Sequence, residues 1–545
     1  MALSILPPPA EATENPAGQP PFGAEPPAEL IEVDPGDPAP PGFSLTPEEV
    51  LGIAAGTEVV EQQTEEHGEL RRTISTRGSD RWQLDYAAAV PVAQVVIGDD
   101  GTVIEAWQGH QVEVKLARGY EGAVSGNVSE TWVWLPLCLL FLLPFIDPKR
   151  PFRLLHLDLL ALLGFSVSHF FFNKGEITLS VPLIYPILAY LFVRMAAAGL
   201  FPKLRQGAIV PRAPIRLLVV GIVVLALFRI GMNIADSQVI DIGFAGVAGA
   251  DRIADGKEIY DGELTPLIDR GDSYGPFNYL TYVPFEQAFP WGGGLEPLPA
   301  AHAAAIFFDL LVVGLLLLLG RRLRAGPEGS ALGIVLAYAW LAYPYTLYAL
   351  NSNGNDALVA AGLLGALLVV SSAPARGFVL GLAAAAKFGP LALAPLFAAG
   401  TGERRWRSAL IFSAVFVAFW AIVLLPLLPD GGLREFYDRT FGYQASRGSP
   451  FSVWGLAPSL DWLQSVVRVI PVLLGVALFF IPRTRTPVQI AALGAALLIA
   501  TQIGSSHWFY FFILWFAPYV LVTIFAEQRW VSGRSSSVAR PEPAS

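Results

Sequence analysis

After residue 131 the chain is dominated by twelve apolar runs, at 132–146, 154–172, 177–198, 215–233, 301–319, 331–350, 356–372, 377–399, 408–428, 462–481, 488–503 and 508–526. Most come close to the ~20 residues that a helix needs to cross ~30 Å of hydrocarbon; the first is short. The stretches between them differ in charge. DPKRPFR (147–153), 194–216, GRRLRAGPEG (320–329), GERRWRS (402–408), PRTRTP (482–487) and EQRWVSGR (527–534) are basic, which predicts a cytoplasmic side. The stretches 234–300, 351–355, 429–461 and 504–507 are poor in Lys and Arg and are expected outside.

Twelve full crossings would place GERRWRS outside, and every later loop would then contradict the charge rule. The conflict vanishes if 377–399 enters and turns back. Its sequence AAAAKFGPLALAP puts Lys387, Gly389 and Pro390 in the middle of the run. Such a break is tolerated at membrane depth only where protein or water surrounds the backbone. The pattern therefore predicts a polytopic α-helical membrane protein with about eleven crossings and one re-entrant hairpin. Its N-terminal part would be outside and its C-terminus inside.

Before residue 131 the pattern changes. Residues 1–44 are Pro-rich and acidic, as in a disordered tail. Thr46-Pro47-Glu48-Glu49 reads as a helix start capped by Thr46. Residues 81–87 alternate, and 92–97 and 102–107 flank Gly98-Asp99-Asp100-Gly101, a hairpin pattern. A small extracytoplasmic α+β domain is expected over 45–125. Three accessory helices over 132–198, a body over 215–526 and a cytoplasmic tail over 527–545 follow. No basic n-region precedes an early apolar run, so no cleavable signal peptide is expected.

Composition sharpens the division. Hydrophobic residues make up 53% and charged residues 15% of the chain. Residues 1–131 hold 22 acidic and 6 basic residues, whereas 132–545 hold 24 and 30. The overall −10 thus belongs to an acidic head on a mildly basic membrane body. No basic patch interleaved with aromatics suggests nucleic acid. The single cysteine, Cys138, permits no intrachain disulfide and no Cys-based metal site.

The long loop 234–300 carries eleven carboxylates against three bases and keeps its aromatic residues. Most loop aspartates are simply solvated. Asp236 and Asp241 stand apart because they lie nearest the membrane surface, where the reactive carbon of a lipid-linked donor would be. A carboxylate there can take a proton from an acceptor hydroxyl. Lys387, at the middle of an apolar run, is a functional hypothesis by default; at a hairpin apex it could bind a phosphate, or it could pair with Asp356. Arg447 can grip phosphate bidentately or be an ordinary solvated side chain. Asn355 and Asp356 could orient sugar hydroxyls, with Asn355 equally suited to cap a helix. Tyr274, with Tyr279, Trp291 and Trp454, could stack on sugar or lipid; such residues are more often interfacial anchors. His507 could contact phosphate or acceptor, although interfacial packing is its ordinary role. Asp158, His169, Arg229, Asp309 and Arg468 lie in or beside spans and are given no chemistry; Asp309 is expected to pair with a cation. No HExxH, Walker loop or dinucleotide fingerprint is present. An acidic loop could bind a divalent cation, but no metal site or other cofactor is demanded.

Asp241, the run GADRIADGKEIY (249–260), YGPFNY (274–279), NSNGND (351–356), Lys387-Phe388-Gly389-Pro390, FYDRT (436–440) and QASRGSPFSVWG (444–455) together resemble GT-C membrane glycosyltransferases. The set is most similar to bacterial polyprenol-phosphate-mannose-dependent mannosyltransferase-like proteins, over roughly 215–526. The resemblance implies an inverting transfer with a loop Asp as base and a polyprenyl-phosphate sugar as donor. It is also what ranks Asp241 above Asp236. Residues 45–125 resemble a PepSY-type module, for which a structural or regulatory role is expected. The expected activity is transfer of a hexose, first of all mannose, to an extracytoplasmic glycan or lipid acceptor at the cell membrane. Two other readings are a transporter or flippase and a sensor or scaffold. Against transport, no repeat relates the halves and the polar residues gather at one face. Against a scaffold, so many crossings exceed what an anchor needs.

Overall fold

A computed structural model describes residues 30–78, 80–88, 91–108, 125–174, 176–201, 211–262, 264–265, 271–294, 297–402, 404–446, 449 and 451–526. The head is an antiparallel sheet in the order β1-β2-β3-β4-β5. Its strands are β1 (Leu30–Glu32), β2 (Arg71–Arg77), β3 (Arg81–Ala87), β4 (Pro91–Gly98) and β5 (Val103–Gln108). Helices α1 (Pro47–Ala55) and α2 (Glu58–His67) join β1 to β2. The β3 pattern buries Trp82, Leu84 and Tyr86, every second residue, beside Val50 and Ala54 of α1 and Val95 and Ile97 of β4. Thr46 starts α1 as expected: its hydroxyl accepts the Glu49 N–H and the Glu49 carboxylate accepts the Thr46 N–H. The β4–β5 hairpin turns at Gly98–Gly101, with Gly101 at φ +81°.

The sheet begins at Leu30, inside the stretch expected to be a tail through residue 44. Phe43 also packs edge-on against Trp82, with centroids 5.1 Å apart. A three-residue edge strand is held by its partner β2 rather than by its own propensity, so Pro-rich composition conceals it. The first part of the expected tail, the end of the expected 45–125 domain and the tail from 527 lie outside the described residues.

The body is helical: α3 (Thr131–Leu142), α4 (Leu154–Asn173), α5 (Ile177–Leu200), α6 (Ile215–Ala235), α7 (Asp241–Ala254), α8 (Pro276–Ala288), α9 (Pro299–Leu323), α10 (Gly326–Ala342), α11 (Pro344–Leu350), α12 (Asp356–Leu368), α13 (Ala373–Ala386), α14 (Ala394–Ala399), α15 (Arg405–Leu424), α16 (Gly432–Tyr437), α17 (Asp461–Phe480), α18 (Pro487–Ile503) and α19 (Ile513–Phe525). Each expected apolar run falls on helix, and the chain is a multi-pass membrane protein. The length of these helices does not establish the eleven crossings expected. Among the described residues six helices (α4, α5, α6, α9, α15, α17) are long and apolar enough to span, or seven if α10 and α11, bent by 64°, form one span. Other runs, such as α12, α18 and α19, are 13–17 residues long and largely buried among their neighbours. Their apolarity serves the protein interior as much as lipid.

The run 377–399 breaks where expected. α13 ends at Lys387, which is extended (φ −139°, ψ 143°), and a short 3-10 turn over Gly389–Leu393 leads into α14. The chain then returns to the level at which it entered. The Arg376 guanidinium donates to the carbonyls of Phe397 and Ala398 and to Ser408. α15 leaves parallel to α13, since Gly377 packs on Phe412 and Gly381 on Phe419. Lys387 is therefore the apex of a hairpin.

Two further buried carboxylates are paired with arginines. Arg229 meets Asp309 at 2.7 Å, and Asp309 also accepts the Trp340 indole. Arg194 grips Asp158 through two nitrogens. These pairs tie α6 to α9 and α4 to α5, which fits the absence of assigned chemistry for Asp158, Arg229 and Asp309.

Candidate active site

Asp241 is placed by the segment between α6 and α7. The N–H groups of Gln238 and Ile240 donate to the carbonyls of Asn351 and Ser352, at 3.2 and 3.0 Å. Asn353 takes a left-handed backbone (φ 52°), and its amide donates to Ser237 Oγ and the Gln238 carbonyl. Asn233 donates to Asn353 Oδ1 at 2.7 Å. The next residues start α7 directly against this turn: a Cβ on Gly243 would collide with the Asn353 carbonyl. Asp241 is thus the first residue of α7, where the helix dipole favours a negative charge. Its Oδ1 accepts the Ile242 N–H, and its Oδ2 lies 3.4 Å from the Tyr274 hydroxyl, which donates.

The two candidate bases have different surroundings. The Asp236 carboxylate accepts the N–H of Asn127 at 2.7 Å, and its backbone carbonyl accepts the Asn351 amide. Asp236 therefore joins the residues before α3 to the body. Asp241 instead shares its open oxygen with Tyr274.

Tyr274 is held by other tyrosines. Tyr260 donates to the Tyr274 carbonyl at 2.9 Å, and Tyr279 accepts the Tyr274 N–H while donating to the Gly271 carbonyl. Burial pushes the phenols of Tyr260 and Tyr279 well above their ordinary range, so both remain donors. Beside them Arg439 bridges Asp272 and Glu435, each at 2.9 Å, fastening the later loop to the earlier one. Gln444 adds a contact to Ser273 at 3.2 Å. Farther along α7, burial first, then the charges of Asp255 and Glu286, raise the Asp251 carboxyl.

Lys387 approaches the same place from the hairpin. Its Nζ lies 2.7 Å from Asp356 Oδ1, which also accepts the Trp515 indole at 2.8 Å. The ammonium is 5.5 Å from the centre of the Trp515 ring and 6.0 Å from that of Phe512. The pairing with Asp356, one of the two roles considered from sequence, is present. Gly275 links Lys387 to Asp241: it follows Tyr274 and packs so tightly on the Ala385 carbonyl that a Cβ would collide. The 351–356 turn provides a second link, since it contacts α7 at one end and Lys387 at the other. The pairs Asp241–Tyr274 and Asp356–Lys387 are thus joined through Gly275 and the 351–356 turn.

Asn355 occupies the cap position of α12 without a side-chain cap; its amide donates to Asn278 Oδ1 at 2.7 Å. His507 Nδ1 is 2.8 Å from Ser449 Oγ, and its ring packs near Phe512, the neighbour of Lys387. Arg447 lies outside the described residues. Asn278 was not singled out, although it stands in the YGPFNY run. Trp515 lies inside a continuous apolar run and carried no signal at all.

No curated protein matches the chain. Residues 273–517, just under half of the chain, match the family model described as Glycosyltransferase family 87. The matched span takes in Tyr274, Asp356, Lys387 and His507, and begins after Asp241. Over that span the chain is similar to this family, and the match, on a multi-pass helical body, supports a membrane glycosyltransferase.

Proposed function

We propose that the protein transfers a hexose, with mannose the first sugar to test, from a polyprenyl-phosphate donor to an extracytoplasmic glycan or lipid acceptor at the plasma membrane. The observation that carries this reading is the joining of Asp241 to Lys387 through Tyr274–Gly275 and the 351–356 turn. Asp241 takes the acceptor hydroxyl proton as the acceptor oxygen bonds to the anomeric carbon. The bond from that carbon to the phosphate oxygen breaks, and polyprenyl phosphate leaves with the electron pair. Attack opposite the leaving group inverts the anomeric centre. Lys387 gives one N–H to Asp356 and has two left for the donor phosphate. Arg447 and His507 belong to the same phosphate end in this reading, and Asn355, Asp356 and Tyr274 to the sugar. No cofactor is assigned. The PepSY-type resemblance of the head gives it a regulatory or structural part. Transport is not favoured, because the family match indicates transfer chemistry.

The test compares Asp241→Asn with Asp236→Asn, using polyprenyl-phosphate-linked sugars and membranes as the acceptor source. Asp241→Asn should lower turnover by about 10²–10⁴-fold, the usual contribution of a general base. Asp236→Asn should stay within about tenfold of wild type, since its carboxylate is engaged with the Asn127 N–H. Undiminished turnover in Asp241→Asn would remove it as base.

A further inference from the structure

The opposite end of the bundle holds a second cluster of charge that the transfer reaction does not use. α15 runs from Arg405 to Leu424, about 30 Å at 1.5 Å per residue. Its far end packs with Tyr260 and Phe436 near the Asp241 site. Its first turn packs instead on the loop before α18. There the Arg485 N–H donates to the Thr401 carbonyl, and Gly402 lies against the Arg483 carbonyl.

Arg485 is only 5% exposed. Its Nε and one terminal nitrogen donate to the Pro482 carbonyl, at 3.3 and 2.9 Å, while its Nη1 is buried without a partner. Arg405 donates one nitrogen to the Arg483 carbonyl at 3.1 Å, and its Nε is likewise buried and unpartnered. Among the described residues neither guanidinium has a carboxylate partner, and their charges repel. A buried guanidinium N–H without an acceptor is costly. Two beside each other at a helix N-terminus call for an anion.

The surroundings point to a lipid rather than a free ion. Trp406 is 71% exposed and packs on Phe479 and Phe480 of α17, with centroids 5.1 and 6.2 Å apart. The Arg405 guanidinium lies over Phe479. From this aromatic ledge, α15 exposes Leu410 and Val417, and α17 exposes Leu473 and Val476. Basic pockets between helices at the membrane surface are where anionic headgroups bind, and exposed tryptophan marks that depth.

We propose that Arg405 and Arg485 bind the phosphate of an anionic phospholipid, with its acyl chains along the exposed faces of α15 and α17. The phosphate oxygens accept from Arg485 Nη1 and Arg405 Nε, the two buried donors that have no partner. The site takes a phosphodiester and needs no sugar substrate.

The experiment is native mass spectrometry of the full-length protein titrated with phosphatidylglycerol or phosphatidylcholine, with inorganic phosphate as a third arm. Wild type should retain phosphatidylglycerol over phosphatidylcholine. The Arg405→Gln/Arg485→Gln variant should bind phosphatidylglycerol at least tenfold more weakly, with its thermal midpoint in phosphatidylcholine nanodiscs unchanged. If that variant unfolds, Arg485→Lys decides: it keeps the charge but lacks the fork, and weaker phosphatidylglycerol binding is expected. Equal retention of the two lipids by wild type, or wild-type binding by Arg485→Lys, would overturn the proposal. Inorganic phosphate displacing phosphatidylglycerol at equal concentration would overturn the lipid assignment in favour of a free anion.

Discussion

Replacing Lys387 by Met should destabilise the protein by about 3–5 kcal/mol, the range for breaking a buried ion pair. The side chains of Lys387 and Asp356 are 11% and 2% exposed, and 2.7 Å separates Nζ from Oδ1. At an effective dielectric constant of ~20, unit charges ~3 Å apart attract by about 5 kcal/mol before desolvation is subtracted. Lys387→Met removes that attraction and leaves a buried carboxylate held by the Trp515 indole. Asp356→Asn should also destabilise, because the ammonium is then buried without a counter-charge. The double variant Lys387→Met/Asp356→Asn removes both charges and keeps an amide oxygen for Trp515, so it should recover to within about 1–2 kcal/mol of wild type. Denaturant unfolding in detergent measures the stability cycle, and sugar transfer is measured on the same samples. A loss below about 1 kcal/mol in Lys387→Met, or no recovery in the double variant, refutes the buried-pair argument. Activity tests the phosphate role of the lysine: a stable double variant that turns over normally has lost only a structural pair, and the phosphate role fails.

Gly275→Ala should reduce turnover more than stability, because the added Cβ meets the Ala385 carbonyl and displaces Tyr274 from Asp241; kcat measured beside the thermal midpoint checks this, and unchanged kcat would refute it. In the head, burial alone would raise the Asp99 carboxyl, but the N–H groups of Leu45 and Ser44 and the Trp82 indole outweigh it and hold it below the ordinary carboxylate range. A folded-state value below the unfolded one stabilises above pH ~4 and is lost as pH falls through the folded value. Hydrogen exchange of the peptide covering 43–50 in the full chain should therefore accelerate relative to neighbouring peptides below pH ~4, and Asp99→Asn should reduce that pH dependence to the part carried by the Glu49 carboxylate on Thr46.

Features that depend on local periodicity were legible in the residues themselves. Thr46 capped its helix, the Gly-Asp-Asp-Gly turn made its hairpin, and each apolar run became helix. The backbone break at Lys387 was legible too, because Gly and Pro interrupt helical hydrogen bonding wherever they fall. Those runs do not by themselves fix the number of crossings. A helix apolar all round is equally at home in lipid and in the middle of a large bundle, and α12, α18 and α19 take the second environment in large part.

The sequence by itself determined a multi-pass helical body, an acidic α+β head and a short set of candidate polar residues, because hydrophobic period, charge and turn chemistry are local properties. Only the tertiary structure decided which of those residues meet. Asp236 and Asp241 are five residues apart and looked alike, yet one carboxylate faces Asn127 and the other Tyr274. Lys387 and Asp356 found each other across 31 positions, and Trp515 joined them from an apolar run with no polar signal. Such meetings follow from how helices pack and where a hairpin turns back, and neither is encoded in the spacing of neighbouring residues.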